Sequence, residues 1–262
     1  LEAQDVRLIT QEGKALPAKV VGYDLATGFG LLRPVLPWPG GPAAPLGSLQ
    51  GAKPGDTLMT AVGATEGGED ADVSLTQLVG QRPFSGSWEY HIDQALFTSP
   101  PVLAGKGNHS GAALFNQQGE LLGIGSLLLS DAAGTGRRLP GNMFVPVDLL
   151  KPILAEMQAS GSSHLSHRPW LGLTSSDQGG RVQVLRVSDD SPAQEAGLKT
   201  GDVVLAVDED KVATLEAFYK KLWTRPSPQT PVRLTVLQGR DLKTVVVQPR
   251  DRMQTLRKPA GI

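Results

Sequence analysis

The chain has 262 residues, 25 lysines and arginines against 26 aspartates and glutamates, and a formal net charge of −1. That balance gives no electrostatic reason to expect nucleic acid or an anionic membrane surface as a partner. Cysteine is absent, which excludes disulfides, thiolate metal sites and a thiol nucleophile, and no apolar run reaches the length of a membrane-spanning helix.

With 31 glycines and 20 prolines, the composition favours many short strands joined by turns. "DVRLIT", "LPAKVVGYD" and "GFGLLRP" read as strands. "PVLPWPGGPAAP" is too rich in proline for a sheet interior and reads as a surface connection. "KPGDTLMTAVG" supplies a turn and a buried strand, and "TEGGEDAD" an acidic loop. "VSLTQLVGQRP" and "WEYHIDQALF" are two further strands. "GAALFNQQGELLGIGSLLL" is a hairpin turning at Gln117–Glu120. "MFVPVDLLKPILAEMQASG" starts extended and turns helical, with Leu149, Leu150, Ile153, Leu154 and Met157 at helical spacing.

"QASGSSHLSHRP" is small and polar and reads as a linker. Beyond it the strands "WLGLTS" and "RVQVLRVS" lead to a short helix in "SPAQEAGL" that stops at Gly197. After the strand "GDVVLAVD" comes a helix in "TLEAFYKKLW". Thr214 is placed to cap it, and Leu215, Phe218 and Leu222 share its core face. The hairpin "VRLTVLQGRDLKTVVVQP" closes the unit, and a polar tail is expected beyond it.

Two sets of segments resemble one family. "LPAKVVGYD…GLL", "LGSLQGAKPGDTLMTAVG", "SGAALFNQQGELLGIGS" and "FVPVDLLKPIL" are similar to the trypsin-like domain of the HtrA/Deg serine proteases. "RPWLGL…VLRVSDDSPAQEAGLKTGDVVLAVDEDKV" resembles the PDZ domain that follows it there. The resemblance implies a mainly β chain: a chymotrypsin-like double β-barrel, its first barrel incomplete here, then a small α/β PDZ domain. The expected divisions are 3–157 for the protease domain, 158–168 for the linker, 169–250 for the PDZ domain and 251–262 for the tail.

The family motif G-N-S-G-G-A-L aligns with "NHSGAAL", which makes Ser110 the candidate nucleophile and the backbone N–H groups of Asn108 and Ser110 the candidate oxyanion donors. Serine needs a base, a group that orients the base, and those donors. The family's aspartate falls on Gly28. Asp24, four residues earlier, matches a surface turn of the family. The family's histidine belongs to a segment before the stretch matched by "DVRLIT". His109 is expected on a surface loop and His91 in a structural role. His164 and His167 form H-x-x-H in the linker, too few ligands for a metal site.

In the PDZ unit, the resemblance makes Trp170, Leu171, Gly172 and Leu173 the peptide-binding loop and receiving edge. Trp170 reads equally well as a buried anchor of the domain. The resemblance implies peptide C-termini or unfolded polypeptides as partners, homo-oligomer formation, a periplasmic or cell-envelope location, and neither cofactor nor metal. Three functions remain open: an impaired protease that binds peptides, an active endopeptidase completed by a histidine from an upstream segment, and a structural adaptor.

Overall fold

The computed structural model describes residues 5–63, 71–102, 109–177 and 179–256. Asn108, most of the acidic loop at 65–72 and the last six residues therefore lie outside the described residues. No helix among the described residues is long and apolar enough to cross a membrane.

The chain opens with a three-stranded antiparallel sheet, β1 (Val6–Ile9), β2 (Ala15–Tyr23) and β3 (Gly30–Pro34). This is the incomplete first barrel. The proline-rich connection carries no named strand before β4 (Thr57–Val62), β5 (Asp72–Gly86), β6 (Tyr90–Ser99), β7 (Ala113–Phe115), β8 (Leu121–Leu129) and β9 (Gly141–Pro146). These six close in the order β4-β5-β6-β9-β8-β7. Leu58, Leu78, Leu96, Leu114, Leu122 and Phe144 fill the closed barrel, while Phe97 and Met143 face the other way and pack with Phe29, Ile153 and Met157. Two short helices follow, α1 (Val147–Leu150) and α2 (Leu154–Ser160). The break between them falls at Pro152, which has no N–H to continue the ladder.

The β5–β6 hairpin matters most for function. Its pairing slips between Leu78 and Gly80 and again between Arg82 and Phe84. Pro83 sits in the second bulge, where its missing N–H breaks no ladder bond. The bulges bend the hairpin, and its tip leaves the barrel for the second domain.

The stretch expected as a linker is ordered. Ser163 caps a 3-10 turn at His164–Ser166, and the hydroxyls of Ser163 and Ser166 both donate to the Asp24 carboxylate beside β2. The second domain begins at β10 (Pro169–Trp170) and continues with β11 (Leu173–Ser176), β12 (Val182–Val187), α3 (Pro192–Glu195), β13 (Val203–Val207), β14 (Asp210–Lys211), α4 (Leu215–Trp223), β15 (Val232–Gln238) and β16 (Asp241–Val247). Its main sheet runs β11-β12-β13-β15-β16. Thr214 caps α4 by accepting from the Ala217 N–H, and Leu215, Phe218, Tyr219 and Leu222 are buried. They pack on Val184, Val204, Leu234, Val236 and Val247.

Two local expectations change. "WLGLTS" is not one strand: it breaks at Gly172, whose φ of +86° turns the backbone between β10 and β11. The expected tail opens with β17 (Arg250–Asp251), which pairs with β10, and α5 (Arg252–Thr255). Asp251 caps α5 and binds the His167 ring at 2.7 Å, while the Arg252 guanidinium lies 4.5 Å above the Trp170 ring. Those contacts hold this stretch on the domain.

Candidate functional site

Ser110 is exposed at a turn, and its Oγ donates to the Ser126 carbonyl at 3.2 Å. Gly111 takes φ +87° immediately after it, and the Gly111 N–H donates to the Gly125 carbonyl at 2.8 Å. Gly125 is required underneath, because a Cβ there would collide with the His109 carbonyl oxygen. The serine is therefore held on a tight, backbone-defined turn. Its proposed oxyanion partner Asn108 lies outside the described residues.

Among the described residues, His91, His164, His167 and Asp24 are bonded to groups other than Ser110. His109 is buried rather than on the surface, and among the described residues neither ring nitrogen has a hydrogen-bond partner. His91 is buried, with Nδ1 2.9 Å from Ser85 Oγ and Nε2 3.2 Å from Asp93 Oδ1. That Ser-His-Asp line joins cross-strand neighbours of the β5–β6 hairpin, since Ser85 faces His91 in the register. His164 pairs with Glu156 at 2.9 Å and His167 with Asp251 at 2.7 Å, so the two rings of H-x-x-H serve different carboxylates.

Gly28, at the position of the family's aspartate, has φ +84° and donates its N–H to the Asp24 carbonyl at 2.7 Å. Asp24 is not on a surface turn as expected; it is fully buried. Its carboxylate accepts from Thr27 N–H at 2.8 Å, Thr27 Oγ1 at 2.6 Å, Ser166 Oγ at 2.6 Å and Ser163 Oγ. Burial opposes its ionisation, but the serine and threonine donors outweigh burial and hold its pKa below the ordinary value. Those donors tie Asp24 to the turn after β2 and to the strap at 163–166.

His91, Asp93 and Glu216 bring potential ligand atoms within 4.8 Å of one another. The Lys220 ammonium already bridges Asp93 at 2.7 Å and Glu216 at 2.8 Å, so the carboxylates have their cation.

The second site is better formed. The backbone N–H groups of Leu171, Gly172 and Leu173 converge on one carboxylate, that of Glu89, at 3.0, 2.7 and 2.7 Å. Gly172 makes the convergence feasible: its φ is left-handed, and a Cβ would overlap the Ser191 side chain and stand 2.8 Å from its Oγ. Burial pushes the Glu89 pKa up to about 7, against the three N–H donors and Arg252, which favour the charged form. Tyr219 on α4 faces the loop from the far side. Its hydroxyl donates to the Gly86 carbonyl at 2.8 Å and accepts from the Glu89 N–H at 3.2 Å. A cleft of about 470 Å³ lies beside this contact, lined among others by Tyr90, Arg168, Trp170, Trp223 and Arg252. Trp170 is half-buried between cleft and domain.

Glu89, Tyr219 and Arg252 escaped the sequence reading. "GSWEY" reads as an ordinary hairpin turn, and nothing local connects it with a loop 82 to 84 residues later. Two signs were present: a tryptophan and a charged residue at a hairpin tip, and a helix in which tyrosine joins the buried face.

A two-domain architecture, a trypsin-like barrel followed by a PDZ domain, is therefore established by topology. Residues 2–124 match the family of trypsin-like peptidase domains and residues 169–248 match the PDZ domain family. The chain is 27% identical over 262 residues to a probable periplasmic serine endoprotease DegP-like of Halomonas elongata, covering 95% of this chain and 52% of that protein. It is 24% identical over 252 residues to the serine endoprotease DegS of Haemophilus influenzae, covering 94% of this chain and 70% of that one. Among solved structures, the HtrA-type protease AlgW with a decapeptide superposes with a TM-score of 0.58 at 20% identity, covering 95% of this chain and 76% of AlgW. A serine endoprotease from Yersinia pestis gives 0.55 at 23% identity, covering 95% and 81%. The trypsin-like peptidase match, the PDZ match and the HtrA relatives together support an HtrA-type protease domain followed by a PDZ domain. It spans about half the length of the DegP-like relative.

Proposed function

We propose that this protein is an HtrA homologue with impaired proteolysis, whose working site is the PDZ groove. It binds the C-termini of peptides or unfolded polypeptides, with Leu171, Gly172 and Leu173 as the carboxylate loop, β11 as the receiving edge and Trp170 at its entrance. One observation carries this reading: three backbone N–H groups converge within 3.0 Å on a carboxylate. Such a nest of donors captures a peptide terminus while the sheet edge takes up the strand that precedes it. Residues 3–157 then serve as a scaffold, 158–168 as a strap and 169–250 as the receptor, with 251–255 packed on it.

The impaired chemistry rests on Gly28 and on the histidines. A glycine replaces the orienting carboxylate, Asp24 is consumed by four donors, and the rings of His91, His164 and His167 are bound to other residues. Losing the function of that carboxylate alone lowers turnover by roughly four orders of magnitude in the serine-protease template. A second reading is favoured by Ser110 itself, which is exposed and followed by a left-handed glycine. In it an upstream segment supplies the histidine, and the backbone N–H groups of Asn108 and Ser110 supply the oxyanion donors. The relatives named periplasmic support a cell-envelope setting, and homo-oligomers are in keeping with the family.

The test combines a fluorophosphonate probe with peptide binding. Ser110-dependent labelling, lost in Ser110→Ala, would favour the endopeptidase. Absence of labelling, with binding of peptides that depends on their free carboxylate, is the expected result.

A further inference from the structure

The carboxylate loop is already filled, and by this chain's own barrel. Glu89 stands at the tip of the β5–β6 hairpin, and its side-chain carboxylate takes all three N–H groups of the loop. The backbone before it behaves as a bound strand would. The Ser175 N–H on β11 donates to the Ser87 carbonyl at 2.8 Å. Ser87 lies two residues before Glu89, and Ser175 two residues after Leu173. Antiparallel ladders repeat with a two-residue period. The tip therefore runs antiparallel to β11, with its carboxylate at the loop and its second preceding residue on the ladder. A peptide C-terminus added to this edge would take the same direction and register.

Tyr219 closes the other side. Its hydroxyl bridges the two ends of the tip, Gly86 and Glu89. Glu89 holds φ at +57°, the left-handed third position of the three-residue hairpin loop between Gly86 and Tyr90.

We propose that the Ser87–Trp88–Glu89 tip is a built-in ligand of the PDZ groove, with the Glu89 carboxylate in the place of a peptide's terminal carboxylate, so that a free C-terminus binds only by displacing it. This rests on the reading of residues 171–173 as a carboxylate-binding loop. The apparent affinity for peptides is then the intrinsic affinity reduced by the fraction of molecules whose tip has left. Glu89 supplies the carboxylate without a terminal apolar side chain, so a peptide ending in an apolar residue has burial to gain that the internal ligand lacks.

The experiment uses the whole chain at pH 8 and a panel of fluorescein-labelled peptides ending in free Val, Leu, Ile or Phe, with C-terminal amides as controls. Anisotropy gives affinity, and amide hydrogen exchange reports on Leu171, Gly172, Leu173 and Ser175. Glu89→Ala is expected to bind carboxylate peptides at least about tenfold more tightly than the parent chain, and those four amides are expected to lose protection. Tyr219→Phe, which keeps the ring but releases the tip's two ends, is expected to shift both readouts in the same direction by less. Equal affinities in the parent chain and both variants, with the carboxylate still required, would overturn the built-in ligand and leave peptide binding standing. If no protein binds any carboxylate peptide although exchange shows the loop freed, the peptide-binding reading fails and the competition fails with it.

Discussion

Asp24→Ala tests whether the buried carboxylate near Gly28 is a structural anchor. Asp24 receives three side-chain donors, Thr27, Ser163 and Ser166, and one backbone donor, the Thr27 N–H. Ser163 and Ser166 come from the strap that leads to the PDZ domain, 139 and 142 residues away in sequence. A hydrogen bond to a charged group contributes about 1.5–3 kcal/mol, and a buried donor left without a partner forfeits about 1–3 kcal/mol. Ser163 and Ser166 are each no more than 1 % exposed, so water relieves them poorly. Hydroxyls can rotate to other acceptors, so the sum is discounted to about 3–5 kcal/mol. Asp24→Asn preserves shape and one acceptor oxygen, and about 1–2 kcal/mol is expected. Urea unfolding followed by tryptophan fluorescence measures the midpoint, and limited proteolysis reports new cleavage between 161 and 168. A midpoint unchanged within error in Asp24→Ala, with no new cleavage, would refute the anchor. Loss of Ser110-dependent probe labelling in a still stable Asp24→Asn would instead make the carboxylate part of a catalytic relay.

Gly172→Ala forces φ +86° on a residue with a Cβ and pushes that Cβ into Ser191; about 2–4 kcal/mol of stability should be lost, with carboxylate-dependent peptide binding, and full retention of both would contradict the loop geometry. Gly28→Asp has open space around the new Cβ, yet it should not raise peptide hydrolysis above background, because His91, His164 and His167 are bonded to Ser85, Asp93, Glu156 and Asp251; a gain of even tenfold would reverse that conclusion. Glu89 has its ordinary pKa of 4.5 raised to about 7 by burial. The folded chain therefore holds a proton that the unfolded chain has released between those values, and stability falls as pH rises across that window and levels off above it. The stability advantage of the parent chain over the non-titrating Glu89→Gln should shrink by at most about 3 kcal/mol between pH 5 and 7.5. Thermal unfolding of both proteins across that range is the check, and a difference that stays flat or grows with pH would show that Arg252 and the three amides govern the carboxyl instead.

Sequence periodicity exposed most strands because their alternation is local. It exposed α4 because Thr214 caps it and its buried residues repeat at helical spacing. Ser110 was legible through its resemblance to the family motif, with the hairpin after it keeping that register without a gap. What stayed hidden depends on partners far along the chain. Asp24 lies in "GYDLAT", a sequence that suits a surface turn, and only the serines of the strap reveal its burial. Glu89 is invisible for a related reason. A glutamate at a hairpin tip normally faces water, and no period within the hairpin reports the loop that receives it. The linker composition was read correctly as small and polar, but those same hydroxyls are what tie it down.

The two bulges and the length of the β5–β6 hairpin have one more consequence. Side chains alternate along a strand, so adding or removing a single residue beyond Pro83 would turn Glu89 away from the loop while sparing the strand pairs nearer the barrel. A hairpin shortened by two residues in each strand would keep the orientation and fall short of the groove by about 6–7 Å. The distance between the barrel and the 171–173 loop is thus written as a count of residues, and an insertion or deletion at this tip would make or break the Glu89 contact without changing a single residue of the PDZ domain.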